Sequence, residues 1–135
     1  MSPRTGESST PPPGELDQRT DWHMISDVTT RTLQASLWGL DARRRAAEDN
    51  VANVETPGFR ASVVSFEDSL RDAIERGEPT DVSIARQASS APTRLNGNNV
   101  NIGDELTGLT ETGLSQQMVI NALNAKFRGI RTAIG

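Results

Sequence analysis

The chain has 135 residues, a formal net charge of -4 and a hydrophobic fraction of 34%, with 4% aromatics, 11 glycines and 7 prolines. That is sparse material for a conventional core, so part of the chain is expected to be disordered when alone. The acidic balance disfavours a nucleic-acid surface, the lack of cysteine excludes disulfides and thiolate metal sites, and no run nears the roughly 18 apolar residues of a membrane-spanning helix.

Residues 1–22 carry Pro3, Pro11, Pro12 and Pro13 among small and polar groups and read as a disordered tail. The N-terminus also lacks the basic and apolar segments of a secretory signal. The next unit, 23–59, is a long helix and a turn. Ser26 or Asp27 is suited to cap the opening turn. The helix face runs through Leu33, Leu37, Leu40, Arg44, Ala47, Val51 and Val54 in steps of four and three, which keeps these side chains on one side. Arg43, Arg44 and Arg45 lie among Asp41, Glu48 and Asp49, the pattern of a solvated, mixed-charge face.

The helix is expected to stop near Glu55. Pro57 disfavours an α conformation at Thr56, and Gly58 tolerates the positive φ of a type II turn that presents Phe59. Asn50 and Asn53, three apart beside the turn, are suited to pin it through side-chain hydrogen bonds to loop backbone. Residues 60–100 form a variable, loosely structured middle. Within it, Ala61–Phe66 reads as extended with Val64 and Phe66 on one side. Glu67–Arg76 reads as a short helix ended by Gly77, and 79–94 as a loop or loose ribbon. Asn96-Gly97 signals a turn.

The last unit, 101–135, is a second long helix that Asn101 caps, with Asp104 and Glu105 in its first turn and Lys126, Arg128 and Arg131 towards its end, matching the helix dipole at both poles. Its stripe is Ile102, Leu106, Leu109, Gly113, Gln116, Ile120, Leu123, Phe127, Ile130 and Ile134. A helix of that length spans about 50 Å, too long for so small a domain to bury. It needs the first helix beside it. The expected fold is therefore mainly α, with the two terminal helices paired in a coiled-coil-like core along Leu33, Leu37, Leu40, Val51, Leu106, Leu109, Ile120, Leu123, Phe127, Ile130 and Ile134. Leu114 and Met118 lie off this seam and are expected to face neighbouring subunits. Gly108, Gly113 and Gly129 each cost about 1 kcal/mol relative to alanine, so the last helix is expected to fray in the free chain.

No constellation for catalysis, cofactor or metal emerges. The one histidine is His23, and Glu67, Asp68 and Asp72 fit a solvated helix face better than a cation site. No phosphate loop, zincin or EF-hand spacing occurs.

The stretch Asn50 to Phe59, NVANVETPGF, is similar to the signature of bacterial flagellar axial proteins through Asn50, Ala52, Asn53, Thr56, Pro57, Gly58 and Phe59. NGNNVNIGDEL at Asn96–Leu106, NALNAKFRGIRTAI at Asn121–Ile134 and the short length narrow the resemblance to the flagellar basal-body rod protein family. It covers about Met24 to Ile134. The resemblance implies a structural subunit, not an enzyme, with no cofactor. Its terminal helices would line an axial channel in the periplasmic rod of the basal body, and Asn50, Asn53, Thr56, Pro57, Gly58 and Phe59 would be the assembly motif. Implied partners are further copies, rod proteins of the FlgC, FlgF and FlgG class, the adaptor FliE and export-gate proteins. Export through the flagellar type III apparatus would need no cleavable signal. Asn101 stands where the family commonly has Asp, which keeps the capping role. The alternatives are another short axial protein such as FlgC, and a cytoplasmic helical adaptor whose helix pair would be stable in the free monomer.

Overall fold

The computed structural model describes residues 18–134, with side chains from 23 to 133. Its order is helix α1 (Gln18–Ala52), strand β1 (Ser62–Ser65), helix α2 (Glu67–Glu75), strand β2 (Ala85–Ala88) and helix α3 (Ile102–Ile134). The fold is mainly helical, and the two long terminal helices pack together with a short strand and helix segment between them. Of the expected tail, residues 1–17 lie outside the described residues. Residues 18–22 are instead helical, so α1 begins eight residues before Ser26. It also ends at Ala52, ahead of the expected stop at Glu55, because turns begin at once in the Asn53–Thr56 segment.

The helices run antiparallel. Asn50, near the end of α1, bonds Glu105 in the first turn of α3. Leu40 shares a shallow groove with Thr112 and Ser115, and Val119 packs against the cluster that contains Leu40.

The middle segment holds two short strands and a helix, and of the two alternatives for 79–94 the ribbon is the one seen, over Ala85–Ala88. β1 and β2 form an antiparallel ribbon with Val63 opposite Gln87 and Val64 opposite Arg86. Alternation along β1 sends Val64 inward and Val63 outward, and Phe66 continues the inward side. α2 ends in a Schellman arrangement: Glu78 N–H donates to Ala73 O at 2.9 Å and Gly77 N–H to Ile74 O at 2.9 Å, with Gly77 at φ 76.

A small core joins Leu40, Ala46, Val64 and Phe66, with Ala42, Leu70, Val82 and Val119 packed around it. Gly39 makes the closest approach. A Cβ there would lie 2.4 Å from the Phe66 ring, so only glycine lets the aromatic rest on the backbone of α1. Arg43 covers the other part of the ring, its guanidinium carbon 4.9 Å from the centroid. It also donates to Val64 O from Nε at 3.3 Å and Nη2 at 3.1 Å, and pairs with Glu67. Burial alone would raise the Glu67 carboxyl, but hydrogen bonds from Arg43 and the Phe66 amide hold it below the usual range. The solvated mixed-charge face is thus made by Arg44 and Arg45 with Asp41 and Glu48, whereas Arg43 belongs to the core.

Candidate assembly site

The site is the place where α1 ends and the chain must reverse through irregular backbone. Thr56-Pro57-Gly58-Phe59 forms a turn closed by Phe59 N–H donating to Thr56 O at 3.2 Å, with Gly58 at φ 73, the geometry of a type II turn. Thr56, Pro57 and Gly58 are exposed and Phe59 is half-buried. The second glycine turn backs onto the first. Gly58 N–H donates to Asn96 O at 2.8 Å, Gly97 sits at φ 81, and a Cβ on Gly97 would approach Gly58 Cα to 3.2 Å.

Three buried asparagines lock this corner. Asn50, 1% exposed, lies against β1, accepting from Ser62 N–H at 2.8 Å and donating to Ser62 O at 2.9 Å and Glu105 Oε1 at 3.0 Å. Asn98 is fully buried. It donates to Asn53 O and Thr56 O, both at 2.8 Å, and accepts from Val100 N–H at 2.8 Å. Asn99 accepts from Ala61 N–H at 2.6 Å and donates to Ser89 O at 3.2 Å and Ala91 O at 3.1 Å. Each carboxamide uses both N–H donors and its oxygen. A side chain offering two donors and an acceptor in one plane is suited to backbone that has no ladder of its own.

Asn53 works more locally, donating to Asp49 O at 2.8 Å and accepting from the Thr56 hydroxyl at 3.2 Å. Asn101 Oδ1 accepts from Gly103 N–H at 3.0 Å and Asp104 N–H at 3.4 Å at the start of α3. Burial pushes the Glu105 carboxyl up, the Asn50 hydrogen bond opposes this, and the Asp104 charge adds to it.

Along the expected seam, Leu40 is buried, and Leu33, Leu37, Val51, Leu109 and Leu123 are half-buried. Leu106, Ile120, Phe127 and Ile130 are 54%, 41%, 55% and 41% exposed, while the Ile134 side chain lies outside the described residues. The face that α3 turns to α1 is rotated from the apolar stripe. It is centred on buried Thr112 and half-buried Glu105, Gly108, Ser115 and Val119. Small groups there permit close backbone approach, which a search for apolar spacing passes over. Leu114 and Met118, off the seam, are 64% and 71% exposed. Sequence reasoning also missed Gly39, Asn98 and Asn99. The signals for the asparagines were their place directly after the Asn96-Gly97 turn and within the NGNNVNIGDEL stretch, neither of which gave them a role.

The arrangement is a rigid mount. Among the described residues no buried side-chain polar atom lacks a partner, and no group of three or more His, Cys, Asp or Glu is placed to hold a metal ion. Its hydrogen-bonding capacity is spent internally, and what it offers outward is the Thr-Pro-Gly-Phe turn. No described helix is long and apolar enough to cross a membrane.

The site thus joins a paired-helix core to a side-chain-locked turn, and comparison with known proteins shows where similar chains occur. No family model matches the chain. It is 28% identical over 119 residues to the flagellar basal body rod protein FlgB of Bacillus subtilis (strain 168), covering 78% of this chain and 92% of that protein. The corresponding protein of Escherichia coli (strain K12) is 26% identical over 129 residues, covering 80% and 94%. That of Borreliella burgdorferi is 25% identical over 136 residues, covering 84% and 98%. These similarities support a flagellar rod protein in the broad sense.

Proposed function

We propose that the chain is a FlgB-type subunit of the proximal rod of the bacterial flagellar basal body, a structural protein that transmits torque and forms part of the export channel. The observation that carries this reading is the extent of the similarity, 92–98% of the length of the three rod proteins named above. No more than 8% of any of the three lies outside the comparison.

In this reading residues 23–59 and 101–135 form the axial core and 60–100 its variable middle. Asn50, Asn53, Thr56, Pro57, Gly58 and Phe59 are the assembly motif. The seam residues exposed in the single chain, Leu106, Ile120, Phe127 and Ile130, are covered in the rod. Neighbours are further copies, rod proteins of the FlgC, FlgF and FlgG class, FliE and export-gate proteins. The subunit works in the periplasm after export through the flagellar type III apparatus without a cleavable signal.

The test is the composition of purified basal bodies from cells carrying or lacking the gene. The protein is expected in the proximal rod, and its deletion is expected to remove the rod and motility. Intact rods in the deletion strain would overturn the proposal. Leu123→Asp places a charge in the half-buried seam and is expected to abolish incorporation while the protein is still made.

A further inference from the structure

We propose that Asn96 is a site of spontaneous covalent modification gated by the fold. In the closed corner its side-chain amide persists. When the corner opens, the Gly97 nitrogen attacks that amide and yields an isoaspartate that keeps the corner from closing again. No other molecule than water takes part, so the rod reading is not needed for it.

Asn96-Gly97 is the only Asn-Gly pair in the sequence, and every other asparagine is followed by a residue whose Cβ shields its nitrogen. The turn leaves little choice at 97. Arg94 N–H donates to Asn98 O at 2.8 Å and Gly97 N–H to Arg94 O at 2.9 Å, which closes a three-residue loop. Neither Leu95 nor Asn96 has a positive φ, whereas Gly97 sits at φ 81. The loop is therefore a type I turn followed by a left-handed residue, the place that glycine fills best. A Cβ on Gly97 would also come within 3.2 Å of Gly58 Cα. The same glycine leaves an unshielded amide nitrogen beside an exposed asparagine.

The reaction balances with water alone. The Gly97 nitrogen, having lost its proton to solvent base, adds to Asn96 Cγ. The bond from Cγ to the side-chain nitrogen then breaks, and ammonia leaves with a proton taken from solvent. The five-membered succinimide that remains takes up one water. Hydrolysis at the former main-chain carbonyl leaves the chain running through Cβ as isoaspartate, and hydrolysis at Cγ gives aspartate. One water replaces one ammonia, and nothing is oxidised or reduced.

In the folded chain the electrophile is ready and the nucleophile is withheld. Asn98 N–H donates to Asn96 Oδ1 at 3.1 Å and polarises the carbonyl that would be attacked. Both polar groups of the Asn96–Gly97 peptide are held, however, its N–H by Arg94 O and its C=O by Gly58 N–H at 2.8 Å. At the third position of a type I turn ψ is about 0°, which sets the Gly97 nitrogen over the backbone nitrogen of residue 96 rather than over its Cβ. Ring closure needs that peptide to turn until its nitrogen eclipses Cβ, and this breaks both hydrogen bonds. Conversion to isoaspartate then adds a methylene to the main chain. The carbonyl that Gly58 uses moves, and Asn98 is displaced from Asn53 O and Thr56 O, each now at 2.8 Å. A chain converted while open is lost to the pool that can fold.

The experiment follows the Asn96 peptide of the full chain by mass spectrometry at mildly alkaline pH, in buffer and in urea above the unfolding midpoint. Ammonia loss at Asn96 is expected to be at least about tenfold slower in buffer, because only the opened fraction reacts. Asn98→Ala keeps the backbone N–H and the Asn-Gly pair but removes the clasp. Its rate is expected to rise about tenfold in buffer and to match wild type in urea. Circular dichroism checks its folding, and wild type in urea below the midpoint supplies the graded opening if the variant is unfolded. Gly97→Ala, compared in urea where folding plays no part, is expected to react several-fold more slowly. Isoaspartate chains made in urea and separated from unreacted ones are expected to refold with a lower denaturant midpoint.

Equal wild-type rates in buffer and urea, or no acceleration in the folded Asn98→Ala chain or in urea below the midpoint, would overturn the gating. Faster loss at another asparagine in urea, an unchanged Gly97→Ala rate there, or a full midpoint in isoaspartate chains would overturn the site. None of these outcomes bears on basal bodies, so the rod reading stands or falls separately.

Discussion

The two ends of the helix pair are built on opposite terms. Around Gly39–Ala52 of α1 the ribbon, α2 and the start of α3 close over the helix, and three asparagines satisfy the irregular backbone. Around Met24–Val28 and Phe127–Ile130 the same two helices lie side by side with large apolar groups in water. The first end holds itself together through contacts within the chain. The second has apolar area that folding of one chain does not use, and this is where assembly has free energy to gain. In the proposed rod the closed end thus carries both the stability of the fold and the exposed Thr56–Phe59 turn, whereas the open end carries apolar area alone.

The largest expected loss of stability comes from emptying the closed end. Phe66→Ala removes the ring that rests on Gly39 and under Arg43, and its cost is about 3–5 kcal/mol, read as a lower denaturant midpoint. An unchanged midpoint would show that the ribbon does not hold this end.

Next comes Asn98→Ala, which strands the Asn53 and Thr56 carbonyls and the Val100 amide, for about 2–3 kcal/mol. Asn98→Asp is expected to be no better, because a carboxylate cannot donate to the two carbonyls. A silent Asn98→Asp would mean that water replaces the clasp.

Gly58→Val tests the turn itself. A Cβ at Gly58 meets nothing within 4 Å, so the cost is conformational, roughly 1–3 kcal/mol for a β-branched residue at φ 73. Phe59→Ala leaves that geometry intact. It is expected to reduce rod incorporation with a smaller stability change, and normal incorporation would sink the assembly role of Phe59.

Glu105→Gln is a smaller effect with a pH signature. Burial raises this carboxyl, so its protonated form favours the fold. Its stabilisation is complete below the usual carboxylate range and is lost as pH rises through the raised value. The variant, which still accepts from Asn50, is expected to be more stable than wild type at neutral pH and equal to it in acid. Denaturation across pH checks the sign.

On the outward side of α3, Leu114→Ser with Met118→Ser is expected to change stability by no more than about 0.5 kcal/mol. Incorporation into basal bodies should still fall. Hydrogen exchange on dilute protein sharpens the same contrast: amides of α3 beyond Val119 should open at lower free energy than those of α1 between Gly39 and Asn50. Equal protection at both ends would erase the distinction.

Much of the local structure was legible from residue order alone. The extended stretch before α2, the Gly77 stop, the positive φ at Gly58 and the Asn101 cap each depend on a few neighbouring residues, and local sterics and hydrogen bonds decide them. Two long helices paired with each other also followed from length and spacing. What the order could not decide was rotation and contact. The inner face of α3 is marked by Thr112, Gly108 and Ser115, small groups whose value lies in closeness to α1, and no apolar period points to them. Gly39 looks like a weak point in a helix until Phe66, far along the chain, is laid against it. Asn98 and Asn99 read as turn residues by composition, and burial gives them their role, since a carboxamide becomes a structural clasp only where three separate pieces of backbone arrive around it. Local rules act through neighbours in sequence, whereas packing and the satisfaction of buried polar groups act between segments that only the folded chain brings together.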